Sequence, residues 1–301
     1  MKRDSLSTRG LARSSLLRSD ERWISDTFCN GTSRIIPVHN QTVLCDSTQD
    51  STAVYLAPKD FGAYSDLADS SVFLGFYDEI AYFAKDINTD QSASILSQKT
   101  HASFQKLRSV IPLLDSRDGE LLTLAGFMSY WHARNQYCGK CGTKTKSSNA
   151  GHVRICRNES CKESYFPSMD PAVIVLVSSG ERCLLGRKDE WRAGMYSTLA
   201  GFVEPGEKAE DAVVREIQEE VGIQVENVVY KNSQAWLFPG SLMLGFTAMA
   251  KEEKIILDTN ELDDARWFTR EEIKAKPHIL PHKVSIAYQL ITAWIDGSNE
   301  K

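Results

Sequence analysis

The densest group of potentially reactive side chains lies between residues 201 and 223, where seven residues are acidic. Glu216 and Glu220 are four residues apart and Glu219 precedes Glu220, so a helix would place all three carboxylates on one face. Carboxylates this close repel one another, and hard divalent cations such as Mg²⁺ or Mn²⁺ prefer oxygen ligands of this kind. The spacing therefore predicts a divalent-metal site, with a solvated acidic helix as the alternative.

Other residues of this stretch indicate how such a helix is held. Apolar residues recur on the opposite face and are expected to anchor it in a core: Val213, Val214, Ile217 and Val221. Gly222 suits the position just after a helix end. Arg215 follows Glu207 by eight residues and is expected to pair with it, bracing the loop that begins at Gly201. We predict a helix over about 208–221.

A second group of ligand-type side chains consists of four of the seven cysteines: Cys138, Cys141, Cys156 and Cys161. They form two pairs, with two and four intervening residues, within one short segment. Four thiolates suit tetrahedral Zn²⁺ and leave no open position for catalysis. The pattern predicts a structural zinc ribbon in a reducing compartment and no disulfide framework, with four unrelated thiols as the alternative.

The acidic stretch fills a known pattern without a gap, G-x5-E-x7-R-E-U-x-E-E-x-G-U, where U is aliphatic. The matching residues are Gly201, Glu207, Arg215, Glu216, Ile217, Glu219, Glu220, Gly222 and Ile223. This is similar to the Nudix box, and the chain resembles the Nudix hydrolases, which cleave nucleoside diphosphates linked to another group. The resemblance implies an α/β/α sandwich in which the box is a loop, a helix and a loop.

Two features resemble the NADH pyrophosphatase branch of that family. One is the zinc ribbon directly before the Nudix domain. The other is Ser233–Ser241, SQAWLFPGS, which is similar to the branch motif S-Q-P-W-P-F-P-x-S. The motif's prolines are replaced by Ala235 and Leu237, and because proline stiffens the backbone, we expect a more mobile substrate loop here. The specific resemblance covers roughly residues 127–295.

The resemblance implies metal-site roles for individual residues. Glu216 and Glu220 are implied as ligands of Mg²⁺ or Mn²⁺, together with the carbonyl of Ala200. Glu219 is implied as a further ligand or as the catalytic base. Glu261 aligns with another family ligand, with an exposed loop acid as the alternative.

Substrate contacts are implied in the same way. Phe166 and Phe202 occupy positions where the family stacks aromatic rings on bases, with core packing as the alternative for each. Ala287 matches a position whose backbone approaches the ligand. The branch motif contributes the remaining candidates, which are Gln234, Trp236, Phe238, Pro239 and Ser241.

The activity implied is metal-dependent hydrolysis of the pyrophosphate bond of NADH or NAD⁺, giving nicotinamide mononucleotide and AMP. NAD-cap removal from RNA is a further expectation, since the cap contains the same bond. The alternatives are another substrate (ADP-ribose, FAD or a diadenosine polyphosphate) or a catalytically weak zinc-ribbon interaction protein.

The resemblance also implies a homodimer. Basic residues cluster at the ribbon: Lys140, Lys144, Lys146, Arg154 and Arg157.

The remaining elements divide the chain into segments. We expect a mixed α/β domain at 22–134, ending in an amphipathic helix over 120–131, then the ribbon at 135–166 and the Nudix domain at 167–301. In the last domain we predict strands at 172–177, 182–187, about 224–234, 242–250 and 265–268, a capped helix from Thr269, and a helix near 283–295.

Composition and the chain ends bear on nucleic-acid binding, membrane association and localisation. Lysine and arginine total 35 against 40 acidic residues, so the net charge is −5 and a general footprint for duplex nucleic acid is absent. The longest apolar run, 172–177, is far below the ~20 residues that span a bilayer, so no membrane association is expected. Residues 1–21 are predicted to be a disordered tail or a targeting segment, because 1–18 resemble a mitochondrial transit peptide. Without an S-K-L end, the cytoplasm and the mitochondrion both stay open.

Overall fold

A computed structural model describes residues 10–46, 52–61 and 71–297. The chain divides into two compact units, residues 1–168 with 237–240 and residues 169–236 with 241–301. No helix within the described ranges is long and apolar enough to cross a membrane.

The first unit begins with a five-stranded sheet and its helices. The strands are β1 (Arg34–His39), β2 (Thr42–Asp46), β3 (Ser71–Tyr77), β4 (Ile80–Asp86) and β5 (Ala102–Lys106), in the order β3-β4-β1-β2-β5. Strands β1 and β4 are parallel and the other pairs are antiparallel. The helices are α1 (Glu21–Cys29), α2 (Asp90–Thr100), α3 (Leu107–Val110) and α4 (Ser116–Arg134). The predicted mixed domain is thus present, and α4 extends the helix expected over 120–131.

The segment before α1 differs from the prediction of a disordered tail. Ala12 exchanges two backbone hydrogen bonds with Phe76 of β3, at 2.8 and 2.9 Å, and Leu11 is buried. A 3₁₀ helix follows at Ser15–Ser19. A tail is therefore wrong for residues 10–21, because backbone pairing and an apolar side chain attach them to the sheet. Residues 1–9, half of the segment resembling a transit peptide, lie outside the described residues.

The zinc ribbon is a small antiparallel sheet in the same unit. Its strands are β6 (Thr145–Ser148), β7 (Val153–Cys156) and β8 (Ser164–Tyr165), with a 3₁₀ turn at Asn149–Gly151. A buried network joins it to α4: Arg154 donates to His132 Nδ1 at 2.8 Å, and His132 Nε2 donates to the Gly151 carbonyl at 2.8 Å. Burial lowers the pKa of His132 to about 4, so this imidazole is neutral at physiological pH.

The second unit is built on a mixed sheet. Its strands are β9 (Asp170–Ser179), β10 (Arg182–Arg187), β11 (Leu199–Phe202), β12 (Val225–Trp236), β13 (Ser241–Ala250) and β14 (Asp264–Thr269). The order is β12-β13-β9-β10-β14, with β11 also paired to β9 and only the β9–β13 pair parallel. Its helices are α5 (Ala209–Val221), α6 (Arg270–Ala275) and α7 (Ile286–Ile295).

The predicted α/β/α sandwich is confirmed by how β9 is buried. Val173, Val175 and Val177 join a core that contains the apolar residues of α5. Ile174 and Leu176 join a second core with the apolar residues of α7. Because successive strand residues point to opposite faces, a central strand covered by helices on both sides is apolar throughout.

The predicted elements of this unit are present within a few residues, including the capping box of Thr269 and Glu272 at α6. One predicted core position is wrong. Val214 is 41% exposed, whereas Ala212 on the same helix is fully buried. The buried residues of α5 are therefore Ala212, Val213, Ile217, Glu220 and Val221, so Glu220 shares the buried face with the apolar residues. The helical period places Val214 in line with Val221, so periodicity alone does not explain its exposure.

Candidate active site

Helix α5 positions the predicted carboxylates, and a glycine ends it. Gly222 adopts a left-handed conformation with φ of 69°, and its N–H donates to the Gln218 carbonyl at 3.0 Å. A Cβ atom here would also lie 2.8 Å from the Ile256 Cβ. Conformation and space both favour glycine at this position.

Arg215 is the centre of the hydrogen-bond network at this site. Its Nε and Nη2 atoms donate to the two carboxylate oxygens of Glu207, each at 2.9 Å, as the sequence predicts. Nη2 also donates to the carbonyl of Phe202 at 2.8 Å. Nη1 donates to Glu216 Oε1 at 2.9 Å and to Glu219 Oε2 at 3.0 Å. One guanidinium thus braces the loop before α5 and screens the repulsion between carboxylates on the helix.

Glu216 lies directly over the backbone of β11. A Cβ atom built on Gly201 would stand 1.9–2.1 Å from the Glu216 carboxyl group, closer than any atoms can pack. Glycine at 201 is therefore required by the close approach of this side chain to the strand. The partial burial of Glu216 raises the pKa of its carboxyl group, and Arg215 opposes that shift.

Glu220 is the buried acid of the site. Its residue is 5% exposed, and Oε2 has no hydrogen-bond partner among the described residues. Burial, followed by the charge of Glu216, raises the pKa of Glu220 to about 8, while Lys188 acts in the opposite direction. A buried carboxylate oxygen without a donor is costly unless a cation neutralises it. This buried oxygen therefore fits a cation ligand.

Glu261 lies on the exposed loop before β14 and faces Lys188, with Nζ 3.7 Å from Glu261 Oε2. Its charge is one of the smaller causes that raise the pKa of Glu220, after burial and the charge of Glu216. A cavity of about 340 Å³ is lined by Lys188, Glu261 and their neighbours. Lys188 is a residue that sequence reasoning missed, since a lone lysine at the end of a strand carries no motif.

The two predicted metal sites differ in how their ligands are placed. The Sγ atoms of Cys138, Cys141, Cys156 and Cys161 all lie within 4.8 Å of one another. In the part of the chain that the structure describes, this is the only such group of three or more cysteine, histidine or acidic residues. The carboxylates of Glu216, Glu219, Glu220 and Glu261 are not gathered in this way. Ala200 is an exposed residue of β11, next to Gly201.

The predicted substrate residues fall into three groups. Phe202 and Phe166 are 60% and 65% exposed, so core packing is wrong for both and their rings are available to a ligand. Gln234 is buried and uses both ends of its amide within the protein. Its Nε2 donates to the Val284 carbonyl at 2.7 Å, and its Oε1 accepts from Ile286 N at 2.8 Å.

The other members of the branch motif form the end of a hairpin. Trp236 pairs with Ser241 where β12 and β13 meet, and both are partly buried. Residues 237–240, which include Phe238 and Pro239, form the connecting turn and cluster with the first unit. Ala235 therefore lies in a strand and Leu237 in a four-residue turn, so only residues 237–240 of the expected substrate loop lie outside the two strands. Ala287 is buried in the first turn of α7, next to the Ile286 N–H that Gln234 holds.

Comparison with known proteins assigns all three segments. Residues 169–289 match the NUDIX domain, 133–166 the NADH pyrophosphatase zinc ribbon domain, and 32–131 the NADH pyrophosphatase-like rudimentary NUDIX domain. A human relative, "NAD(P)H pyrophosphatase NUDT13, mitochondrial", is 36% identical over 82% of this chain and 81% of its own. The "NAD-capped RNA hydrolase NudC" of Pseudomonas syringae is 38% identical over 64% and 67%. A NUDIX hydrolase structure from Nitrosomonas europaea aligns with a TM-score of 0.45 at 16% identity, over 55% of this chain and 93% of its own.

Proposed function

The chain belongs to the Nudix hydrolases, in their NADH pyrophosphatase branch, and from this premise we propose that it hydrolyses the pyrophosphate bond of NADH and NAD⁺ to nicotinamide mononucleotide and AMP. The observation that carries the proposal is the buried, unpartnered Oε2 of Glu220 within a complete Nudix box. The names of the two relatives support the choice of substrate.

The residues of the box fit a divalent cation, which we propose to be Mg²⁺ or Mn²⁺. Arg215 holds one oxygen of each of Glu216 and Glu219. The second oxygen of each has no hydrogen bond to any described residue and is left for a cation. Together with Glu220, these are the hard oxygen donors that such ions prefer. The Ala200 carbonyl and Glu261 are proposed to complete the set.

A divalent cation, when bound, supplies Lewis-acid stabilisation of the phosphoryl oxygens and lowers the pKa of a bound water. Arg215 keeps the carboxylates in position through its bidentate contact with Glu207. The side chain of Glu219 is 59% exposed, so we assign it to accept the proton of the attacking water or to complete the ligand set. Burial of Glu220 keeps competing water away from its carboxylate.

Base recognition is proposed for the exposed rings of Phe202 and Phe166, because stacking on an aromatic ring contributes ~1–3 kcal/mol per base. Trp236, Phe238, Pro239 and Ser241 are proposed to surround the flanking group of the substrate. We assign Gln234 an indirect part, since its amide fixes the start of α7 and hence Ala287.

The test is product analysis with a substrate panel. NADH, NAD⁺, an NAD-capped RNA, ADP-ribose, FAD and diadenosine tetraphosphate are incubated with the protein, with and without added Mg²⁺ or Mn²⁺. We expect AMP and reduced nicotinamide mononucleotide from NADH in the presence of metal only, and NAD-capped RNA cleaved at the same bond. Faster cleavage of ADP-ribose or FAD than of NADH would overturn the branch assignment, and no cleavage of any substrate would favour an interaction protein.

Three further features are part of this proposal. One structural zinc per chain is supported by the four-cysteine cluster. A homodimer is inferred from the family resemblance and is checked by light scattering after size exclusion. A mitochondrial location is supported by the composition of residues 1–18 and by the name of the human relative, and is checked by imaging a tagged full chain.

A further inference from the structure

The zinc-ribbon sheet has two faces that differ in chemistry. On the inner face, Thr145 and Arg154 are buried, and the Arg154 Nε atom donates to Thr145 Oγ1 at 2.7 Å. Cys156 pairs with Thr145 across the strands and belongs to the cysteine cluster. Because successive residues of extended strands alternate between faces, Lys146 of β6, Ile155 of β7 and Lys144, which directly precedes β6, point outward.

The outer face brings an aromatic ring and cations together. Tyr137 forms an antiparallel bridge with Lys144, and Arg157 N donates to the Lys144 carbonyl at 3.1 Å. The register of β6 and β7 continues to place Arg157 opposite Lys144. Directly opposed residues on one face are neighbours, so Tyr137, Lys144 and Arg157 form a row across three adjacent extended segments at the edge of the β6–β7 ladder. Lys146 lies two residues further along β6, and Tyr137 is 60% exposed.

This outer face lies in a region whose charge differs from that of the rest of the chain. Residues 133–166 contain seven lysines and arginines but only two acids, whereas the whole chain carries −5. The two acids form ion pairs with other lysines, Glu163 with Lys140 at 3.3 Å and Glu159 with Lys162 at 2.9 Å. Lys144, Lys146 and Arg157 are exposed and have no ion pair with any described residue.

We propose that this outer face, Tyr137, Lys144, Lys146 and Arg157, binds single-stranded RNA, and specifically the RNA body of an NAD-capped transcript. Exposed cations neutralise phosphates, and an exposed ring beside them stacks on a base without sequence preference. A row of three cations with a ring suits a few nucleotides of an unpaired 5′ segment and not a long duplex. The inference rests on the proposed NAD-cap activity for its biological meaning, although the binding is tested separately.

The experiment measures binding of a fluorescent 5′-monophosphorylated single-stranded RNA, which lacks the scissile bond, to the full chain by anisotropy. The test variant is Lys144→Gln with Lys146→Gln and Arg157→Gln. Each lost phosphate contact reduces the salt slope by about 0.7, so we expect a slope lower by about 2 and at least tenfold weaker binding at low salt. Tyr137→Leu is expected to weaken binding several-fold, and Tyr137→Phe to retain it.

The matched control removes the same charges elsewhere in the first unit, as Lys99→Gln with Lys106→Gln and Arg108→Gln, three exposed positions. NADH hydrolysis is measured for all variants and is expected to be unchanged, while the KM for NAD-capped RNA rises only in the ribbon variant. The proposal is overturned if the wild-type chain does not bind the RNA, if both triple variants weaken binding equally, or if only anionic lipid vesicles capture the chain. None of these outcomes bears on NADH hydrolysis, so failure of the proposed activity is seen separately as absence of AMP.

Discussion

The cysteine cluster and the glutamate cluster are two groups of potential metal ligands that differ in how closely their ligand atoms are placed. In the ribbon, Sγ–Sγ distances of 3.4 Å for Cys141–Cys156 and 3.8 Å for Cys138–Cys161 show ligands already gathered. On α5, Arg215 contacts two of the glutamates, and Glu220 is buried with an unpartnered oxygen. The first suits a closed structural site, and the second a site that keeps room for substrate.

The difference has a physical cause on the helix. Ionised carboxylates repel one another, and a nearby cation lowers the cost of bringing them together. Arg215 supplies that charge while holding Glu207 with its other nitrogens. Of the three glutamates Glu216, Glu219 and Glu220, only Glu220 has no hydrogen bond to Arg215, and burial raises the pKa of its carboxyl group.

The largest effect is expected from removing the charge of the buried Glu220 side chain. Glu220→Gln keeps the volume of the side chain but loses its charge, so NADH hydrolysis is expected to fall by at least about 10³-fold, ~4 kcal/mol of barrier. The melting temperature should stay equal or rise, because a buried carboxylate no longer needs desolvation. Steady-state kinetics and a thermal melt check both. Glu210→Gln, an exposed acid of the same helix, is the matched control, and more than a tenth of the wild-type kcat in Glu220→Gln would contradict the assignment.

In the ribbon, removing a metal ligand is expected to lower stability, whereas Glu220→Gln is not. Cys161→Ser removes one ligand of a closed site, so the bound zinc falls from one per chain towards none and the melting temperature drops by roughly 5–10 °C. Metal analysis and calorimetry measure these changes in protein purified under reducing conditions. Cys29→Ser, at an exposed cysteine outside the cluster, should change neither. A zinc-free wild-type protein of normal stability would exclude the site.

A smaller loss is expected from Arg215→Lys. A lysine cannot hold both oxygens of Glu207 and still reach Glu216 and Glu219, so kcat is expected to fall about 10–100-fold, ~1.4–2.7 kcal/mol. Glu207→Gln should cause a similar loss, and the double variant little more, since both changes break one contact. Arg182→Lys, in a surface pair with Glu253, is the control. Additive losses would show that Arg215 acts independently of Glu207.

The smallest effect concerns pH. The pKa of Glu220 in the folded chain, about 8, lies above its ordinary value of 4.5, so folding favours the protonated form. The stability this contributes is complete below pH 4.5 and is lost as the pH rises through 8. Without added divalent metal, the melting temperature of the wild type should therefore fall relative to Glu220→Gln between pH 5 and 8. Added Mg²⁺ should reduce the difference between the two melting temperatures. Parallel pH profiles of wild type and variant would show that the pKa of Glu220 is not raised on folding.

Much of both clusters could be predicted from the sequence because their information is local. The helix at 209–221, its glycine stop, the Glu207–Arg215 pair and the cysteine cluster all follow from spacings within about 25 residues. The errors occurred where local patterns compete with packing. Val214 matches the apolar stripe but is exposed, and residues 10–21 look like a polar tail but Ala12 among them pairs with Phe76 of β3.

What the sequence by itself determined is the chemistry, namely which side chains could bind metals and how they repeat along one helix or one turn. What only the tertiary structure decided is their electrostatic state, because burial and distant neighbours set it. Lys188 and Glu261 are 73 residues apart yet form one pair beside Glu220. The amide of Gln234 holds the start of α7, 50 residues further along the chain, which its place in the branch motif does not predict. The burial of Glu220 depends on the strands that pack against α5, so the desolvation of its carboxyl group cannot be calculated from residue spacing alone.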